Sequence, residues 1–181
     1  VWFTIGSACT PAATAPASHS AGFAIDLGAK VATAPKLVQP GALPGAVELV
    51  GVSNTETDRE GETYTWQAIQ ELVIQLQIGG RPRPQELRLR AQPFPLADGT
   101  VQTVTPVVNG TPLETRDVET HREELLWQMP ASLIKEGDNE LILRAGYAVA
   151  PADVKPGAKD QRTLAYRIYG VAVSPIGKQG P

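Results

Sequence analysis

Apolar and polar residues alternate with a period of two along much of the chain from Phe23 onward. This alternation is typical of β-strands that bury one face, because successive side chains of a strand point to opposite sides of the sheet. The clearest windows are 71–78, 86–91, 124–129, 140–147 and 164–173. Less regular windows that also predict strands are Gly22–Leu27, Val47–Val52, Glu62–Gln67, Val101–Val108 and Pro112–Val118. The pattern therefore predicts about nine or ten short strands.

Turn residues separate these windows. Asn109-Gly110 lies between two predicted strands, and this pair favours a tight type I′ hairpin because both turn positions need a positive φ angle. Asp98-Gly99 and Gly137-Asp138 mark further reversals of the chain. Only residues 130–137 favour a short helical turn, with Pro at its start and Gly at its end. Short strands without a long helix predict an all-β fold, an antiparallel sandwich or a barrel.

The order of the motifs resembles that of a known fold family. Val107-Val-Asn-Gly110 is followed by Met129-Pro-Ala-Ser-Leu133 and by Glu136-Gly-Asp-Asn-Glu-Leu141. In this order the motifs resemble the galactose-binding-domain-like jelly roll of bacterial cell-surface proteins, over residues 22–174. The resemblance implies an antiparallel jelly-roll-like sandwich with flexible tails at both ends. Because the motifs consist of turn and core residues, they specify a fold and carry no activity.

The N-terminal segment differs in composition from the rest of the chain. Small residues precede Cys9, the only cysteine, and this order resembles the end of a bacterial lipoprotein signal peptide. Cys9 is therefore the candidate lipid-attachment residue, and Trp2 and Phe3 are candidate contacts with a membrane or a partner. Residues 10–21 are rich in Ala, Thr, Pro and Ser, a composition that predicts a flexible tether.

These observations divide the chain into three parts. Residues 1–21 form an apolar end and a tether, residues 22–174 form the β-sandwich domain, and residues 175–181 form a C-terminal tail. This organisation predicts an exported protein, at the bacterial cell surface or in the periplasm, that is anchored to the membrane through an N-terminal lipid.

Composition excludes several classes of function. Sixteen Lys and Arg against 19 Asp and Glu give a net charge of −3. Nucleic acid is therefore not expected as a partner, because its phosphates require a basic protein face. One Cys and two His exclude a disulfide framework within the chain and a CxxC zinc site. No apolar run approaches the length of a membrane span, about 20 residues.

Candidate residues for catalysis or metal binding are scarce. His121 lies among charged residues at the end of a predicted hairpin and is interpreted as a solvated turn residue. We find no triad, metal set or phosphate loop, and we therefore predict no catalytic residue and no enzyme activity. Glu56, Asp58 and Glu60 are candidate ligands for a structural calcium ion, since hard cations prefer clustered carboxylates. Their spacing matches no EF-hand loop, so a solvated acidic loop is the alternative, and no other cofactor is expected.

Aromatic residues provide candidates for binding a sugar, because a flat ring can cover the apolar face of a pyranose. Trp66 lies in the run Tyr-Thr-Trp, and Tyr169 has the opposite parity to Tyr166 and Ile168. Trp66 and Tyr169 are therefore the candidate carbohydrate platforms. For both residues the alternative is packing inside the sandwich, where aromatic residues are common.

Three classes of function remain. The leading expectation is a non-catalytic accessory or scaffolding subunit of a membrane or cell-surface assembly, with other protein subunits as partners, because the motifs specify a fold without chemistry. The alternative is a carbohydrate-binding module with a glycan as its partner, and an enzyme ranks third. The long loop 148–162 is expected to be a structural crossover that caps the sandwich.

Overall fold

The computed structural model describes residues 23–25 and 48–176. In these residues 12 β-strands form two antiparallel sheets of a sandwich, which confirms the predicted all-β class. The strands are β1 (Phe23–Ile25), β2 (Glu48–Val50), β3 (Val52–Thr57), β4 (Thr63–Gln67), β5 (Glu71–Ile78), β6 (Gln85–Pro93), β7 (Gln102–Val108), β8 (Thr111–Pro112), β9 (Arg116–Val118), β10 (Glu123–Met129), β11 (Gly137–Ala145) and β12 (Tyr166–Pro175). Helical structure is limited to a 3-10 turn at Ala131–Leu133 and to α1 (Pro151–Val154).

The first sheet has the strand order β10-β6-β12-β4-β3, and β1 also pairs with β12. The second sheet has the order β2-β5-β11-β7-β8, and β9 also pairs with β7. β12 is therefore the central strand of the first sheet. Among the described residues, no helix is long and apolar enough to cross a membrane.

The main core lies between the inner faces of the two sheets, where the predicted alternation places its apolar residues. Fully buried side chains come from both sheets: Leu87, Leu89, Tyr166 and Ile168 from the first, and Leu72, Ile74, Leu141 and Leu143 from the second. Burial of each aliphatic or aromatic side chain of this size stabilises the fold by about 1.5–3 kcal/mol relative to leaving it exposed. The period-two pattern thus identifies the residues that hold the sandwich together.

β3 is absent from the predicted strands, and β12 extends beyond its predicted limit. The pattern does not predict β3, because Val52 is the only apolar residue in Val-Ser-Asn-Thr-Glu-Thr. β3 is an edge strand that pairs only with β4, and an edge strand tolerates polar side chains. Glu56 therefore lies on a strand, which corrects its expected place in a loop. β12 continues past Val173, since Ser174 pairs with Glu86 in the register of the sheet.

Several predictions concern residues that the structure does not describe. Trp2, Phe3, Cys9 and the tether 10–21 lie outside the described residues. Their predicted roles, and the predicted division of the chain into domain and tails, therefore stay predictions.

The chain passes from the second sheet to the first at Gly51, between β2 and β3. Gly51 has a φ angle of +105°, which residues with a side chain rarely adopt. A Cβ atom at this position would lie 2.8 Å from Cγ1 of Ile69 and 2.9 Å from the carbonyl oxygen of Glu71. The Gly51 carbonyl also accepts a hydrogen bond from the Ala68 N–H at 2.8 Å. The crossing therefore requires glycine both for its backbone angle and for its close packing.

We expect Gly51→Ala to lower the free energy of unfolding by about 2–4 kcal/mol, because backbone strain and overpacking act together. Gly61→Ala is the matched control. Gly61 also has a positive φ angle, +86°, but no atom lies within 4 Å of the place that an alanine Cβ would occupy. This control should cost about 1 kcal/mol, the strain alone. Urea unfolding of the full chain measures both variants, and equal losses would contradict the steric part of the explanation.

Candidate functional site

The outer face of the first sheet carries a second, smaller apolar layer at one end. In the register of the sheet, Arg167 on β12 lies opposite Trp66 on β4, whereas Ile168 lies opposite Thr65. Because Ile168 is fully buried in the main core, Arg167 and Trp66 point to the other side of the sheet. Tyr64, two residues before Trp66, shares this outer face.

We call this outer layer the aromatic cluster: Tyr64, Trp66, Leu164 and Tyr169, with the partly buried Phe94 packed against them. The ring of Tyr64 meets Trp66 edge-on with centroids 5.8 Å apart, and it lies 5.6 Å from the ring of Tyr169. The ring of Phe94 lies 6.1 Å from Trp66. Aromatic pairs at these separations each contribute about 0.5–1.5 kcal/mol beyond their buried area. The cluster is thus a packed unit of its own.

A β-bulge in β12 lies at Tyr169, a member of the aromatic cluster. Ile168 pairs with Ala91 and Gly170 pairs with Arg90, so Tyr169 is an extra residue without a partner on β6. A bulge of this kind redirects side chains. Here Tyr169 packs on the face opposite Ile168, as in a regular strand, and the extra residue lets Val171 point into the main core again.

Three guanidinium groups lie over the aromatic cluster, and that of Arg90 is 5.7 Å from the ring centroid of Tyr169. The guanidinium of Arg167 lies 4.8 Å from the ring centroid of Tyr64 and 5.1 Å from that of Trp66. The guanidinium of Arg122 lies 4.9 Å from the ring centroid of Tyr169. Cation–π contacts contribute about 0.5–1 kcal/mol at exposed sites and more where water is excluded. With these groups above them, Trp66 and Tyr169 are only 5% and 4% exposed.

The turn between β3 and β4 is ordered around Asp58. One carboxylate oxygen of Asp58 accepts hydrogen bonds from the N–H groups of Glu60 and Glu62, both at 2.9 Å. The other oxygen accepts from the Tyr169 hydroxyl at 3.2 Å and from Arg122 at 3.4 Å. Burial raises the pKa of Asp58, but the backbone hydrogen bonds from Glu62 and Glu60 outweigh this effect and the pKa is lowered. The turn is therefore fastened to the aromatic cluster.

The three calcium candidates are engaged in ion pairs. Arg122 bridges Asp58 and Glu60, with N–O distances of 3.4 and 3.1 Å. Glu56 projects from β3 and binds Arg162 instead. Within the residues that the structure describes, no group of three or more His, Cys, Asp or Glu side chains could hold a metal ion. The carboxylates of Glu56, Asp58 and Glu60 thus form ion pairs with arginine side chains.

An open cleft of about 530 Å³ lies beside the aromatic cluster. Its floor includes Tyr64, Trp66 and Phe94, and its wall is the segment between β11 and β12, which contains α1. Clefts of about 300–1,000 Å³ with an apolar floor and a few polar groups are typical of binding sites for small ligands. The cleft is therefore the candidate binding site of the domain.

The wall of the cleft is held in place at both of its ends. Val149 and Leu164 exchange backbone hydrogen bonds of 3.1 and 2.8 Å, and the Ala152 N–H donates to the Asp160 carbonyl at 2.9 Å. We expected loop 148–162 to be a structural crossover. In addition to connecting the two sheets, it contributes residues to the cleft.

Arg162 binds both carboxylates that line the cleft. Its guanidinium donates to Glu56 at 2.5 Å and to Asp160 at 2.7 Å. Burial raises the pKa of Glu56, but hydrogen bonds from Arg162 and from the Tyr64 hydroxyl, at 3.0 Å, outweigh this effect and the pKa is lowered. Hydrogen bonds from Arg162 lower the pKa of Asp160 to about 2. Both carboxylates are therefore ionised at neutral pH.

The structure brings the two predicted platforms, Trp66 and Tyr169, into the same cluster, but it presents neither as an open ring face. Trp66 lines the cleft beneath Arg167. Tyr169 lies beneath Arg122 and does not line the cleft. An aromatic face for a ligand therefore has to come from another residue.

Phe94, like Arg167, is a site residue that the sequence analysis missed. It lies in Pro93-Phe94-Pro95 at the end of β6, where no alternation indicates a face. Its N–H donates to the Ala165 carbonyl at 2.9 Å, and its carbonyl accepts from the Tyr147 hydroxyl at 2.7 Å. One signal in the sequence could have pointed to Phe94, namely its position between two prolines. Proline fixes its own φ angle and restricts the residue before it, so the backbone at Phe94 has little freedom.

No protein-family model matches the chain, and no curated protein matches it. Among the solved structures that match is the C-terminal CBM6 of LamC, a marine laminarinase from Zobellia galactanivorans, with 9% identity over 84% of this chain and 98% of that chain and a TM-score of 0.46. Another is a family 35 carbohydrate binding module from an environmental isolate, with 20% identity, coverage of 71% and 89%, and a TM-score of 0.41. A third is a family GH115 4-O-methyl-alpha-glucuronidase, with 13% identity over 93% of this chain and 20% of that chain and a TM-score of 0.50.

These similarities show the fold alone. The described residues form an antiparallel jelly-roll-like β-sandwich, and that part of the prediction is confirmed. It spans nearly the whole of the LamC module and about one fifth of the glucuronidase chain.

The leading functional expectation is wrong. The motifs favoured an accessory or scaffolding subunit, whereas many of the similar solved structures are carbohydrate-binding modules, which favours the alternative of carbohydrate binding. The physical reason for the error lies in the loops. Fold motifs report strands and turns, while the cleft is formed by side chains on a loop and on the outer face of one sheet.

The lowered pKa of Glu56 predicts a pH dependence of stability. A carboxylate whose pKa is lower in the folded state stabilises the fold above its unfolded pKa, near 4.5, and this contribution is lost as the pH falls through the folded pKa. We expect Glu56→Gln to lose less stability than the wild type between about pH 5 and pH 3. Thermal unfolding across this pH range measures the difference, and parallel curves for the two proteins would contradict it.

Proposed function

We propose that the domain is a non-catalytic carbohydrate-binding module that holds a glycan in the cleft beside the aromatic cluster. The observation that carries this proposal is the combination of an aromatic floor with polar groups at the rim of one open cleft. Sugars present both kinds of surface, since the C–H face of a pyranose packs on aromatic rings and its hydroxyls need hydrogen-bond partners.

Phe94 supplies the aromatic contact in this proposal. It is the partly buried member of the aromatic cluster, and it lines the cleft. Its backbone is held by hydrogen bonds on both sides, to Ala165 and Tyr147. A ring that is already fixed loses little conformational entropy when a ligand binds, and this favours affinity.

Charged side chains supply the polar contacts. Glu56, Asp160 and Arg162 form a bridged set at the rim, with the carboxylates as acceptors and the guanidinium as the donor. Carboxylates that are already held by Arg162 keep a fixed orientation toward the sugar hydroxyls. A charged partner strengthens each hydrogen bond relative to a neutral one.

The location of the protein follows from the same proposal. A module that binds glycans acts where glycans are present, outside the cytoplasm, which agrees with the lipoprotein-like order of residues around Cys9. We therefore also propose that Cys9 carries a lipid and that residues 10–21 tether the module to a membrane.

A glycan array that covers neutral and acidic oligosaccharides tests the proposed function. We expect the full chain to bind at least one class of glycan with a Kd of about 1 mM or lower. Phe94→Ala should weaken the binding of that glycan by about tenfold or more, because the aromatic contact is lost. Isothermal titration with the best glycan measures this change.

Leu126→Ala is the matched control for Phe94→Ala. Leu126 is an apolar residue on β10 that is 39% exposed, and it does not line the cleft. Its loss should leave affinity unchanged. Absence of binding to every glycan on the array would overturn the proposed function, and equal losses in both variants would overturn the assignment of the cleft.

Mass spectrometry of the protein from a bacterial membrane fraction tests lipid attachment. We expect Cys9 to be the first residue of the mature chain and to carry acyl groups, because membrane anchoring through one residue needs a lipid. Cys9→Ser should move the protein to the soluble fraction. An unmodified Cys9 in membrane-associated protein would contradict the proposal.

A further inference from the structure

The cations of the cleft are not all neutralised. Its lining contains two carboxylates, Glu56 and Asp160, and three cations, Lys155, Arg162 and Arg167. Arg162 pairs with both carboxylates. Among the described residues, neither Lys155 nor Arg167 forms a salt bridge. The cleft therefore has an excess of positive charge within a protein whose net charge is −3.

Arg167 is the more confined of the two free cations. It projects from β12, the central strand of the first sheet, and it is only partly exposed. Its guanidinium lies over the rings of Tyr64 and Trp66, 4.8 and 5.1 Å from their centroids. Cation–π contacts of this kind hold the group close to the rings but use none of its five N–H donors. Arg167 thus presents fixed and unused donors at the cleft.

From this arrangement we infer that the cleft selects glycans that carry an anionic substituent, a carboxylate or a sulfate, and that Arg167 binds this substituent. The inference rests on the proposed function and names its substrate class. A planar guanidinium forms two parallel hydrogen bonds with a carboxylate or a sulfate, which a neutral hydroxyl cannot replace. Lys155 on the wall of the cleft adds attraction at longer range.

The pairing around Arg162 explains why Arg167 is available to a ligand. Both carboxylates that line the cleft are held by Arg162. The Glu56 side chain is also fixed by the Tyr64 hydroxyl at 3.0 Å. A ligand anion at Arg167 therefore does not have to displace a carboxylate of the protein.

Matched pairs of oligosaccharides that differ only in charge test the inference. The probes are an oligogalacturonide with its methyl ester, and a sulfated carrageenan oligosaccharide with its desulfated form, each titrated into the full chain. We expect at least one acidic probe to bind about tenfold more tightly than its neutral partner, since ion pairing with a fixed guanidinium adds to the shared contacts. The pair that shows the preference identifies the substituent as a carboxylate or as a sulfate.

Variants of Arg167 locate the preference. Arg167→Gln should bring the acidic and the neutral probe of the preferred pair to equal affinity, whereas Arg167→Lys should keep part of the preference through its charge. Arg88→Gln is the matched control, because Arg88 lies on the same outer face of the first sheet but pairs with Glu86 and Glu124. It should keep the full preference. A preference that survives in Arg167→Gln would overturn the role of Arg167.

The salt dependence of binding by the wild-type protein tests the inference without any variant, so it does not depend on whether a variant folds. Affinity for the preferred acidic probe should fall by about threefold or more between 50 and 500 mM NaCl, while affinity for its neutral partner should stay constant. If neutral and acidic probes bind equally and this binding depends on Phe94, the inference is overturned and the proposed function stands. If no probe binds, the inference is overturned, and the glycan array decides the proposed function separately.

Discussion

The bulge at Tyr169 is the feature on which the arrangement of the first sheet depends. β12 must fill the main core with Tyr166 and Ile168 and must also complete a second apolar layer on its outer face. A regular strand alternates strictly, so a slip of one residue would reverse every later side chain. Alternation places Tyr169 on the outer face after Ile168, and the bulge then returns Val171 to the core. One strand can thus contribute to the main core on one face and to the aromatic cluster on the other.

Electrostatic pairing divides the outer layer into two regions with different properties. Near Tyr169, Arg122 forms ion pairs with the carboxylates of Asp58, Glu60 and Glu62, and none of the described cations there is left without a carboxylate partner. Around the cleft, Arg162 binds the two local carboxylates and leaves Arg167 without one. Arginine and carboxylate side chains therefore hold the β3–β4 turn in place near Tyr169, whereas around the cleft they leave an arginine available for a ligand.

The sequence predicts the main core well because its signal is local. Alternation within β5, β6, β10 and β11 identifies the inward faces directly, since each strand reports its own burial. β3 escapes prediction because an edge strand needs few apolar residues. The cleft escapes prediction because its contacts are distant in sequence: Glu56 and Arg162 are 106 residues apart. No periodicity links such residues, and Phe94 lies where periodicity ends.

The most direct test of the central claim is the mapping of a bound glycan by NMR. Titration of the isotope-labelled protein with the best glycan should shift resonances of Phe94, Trp66 and the segment 151–164, because these residues line the cleft. Resonances of β5 and β11 on the second sheet, which face away from the cleft, should stay in place. Shifts confined to the second sheet, with those of Phe94 and Trp66 unchanged, would contradict the assignment of the cleft as the carbohydrate site.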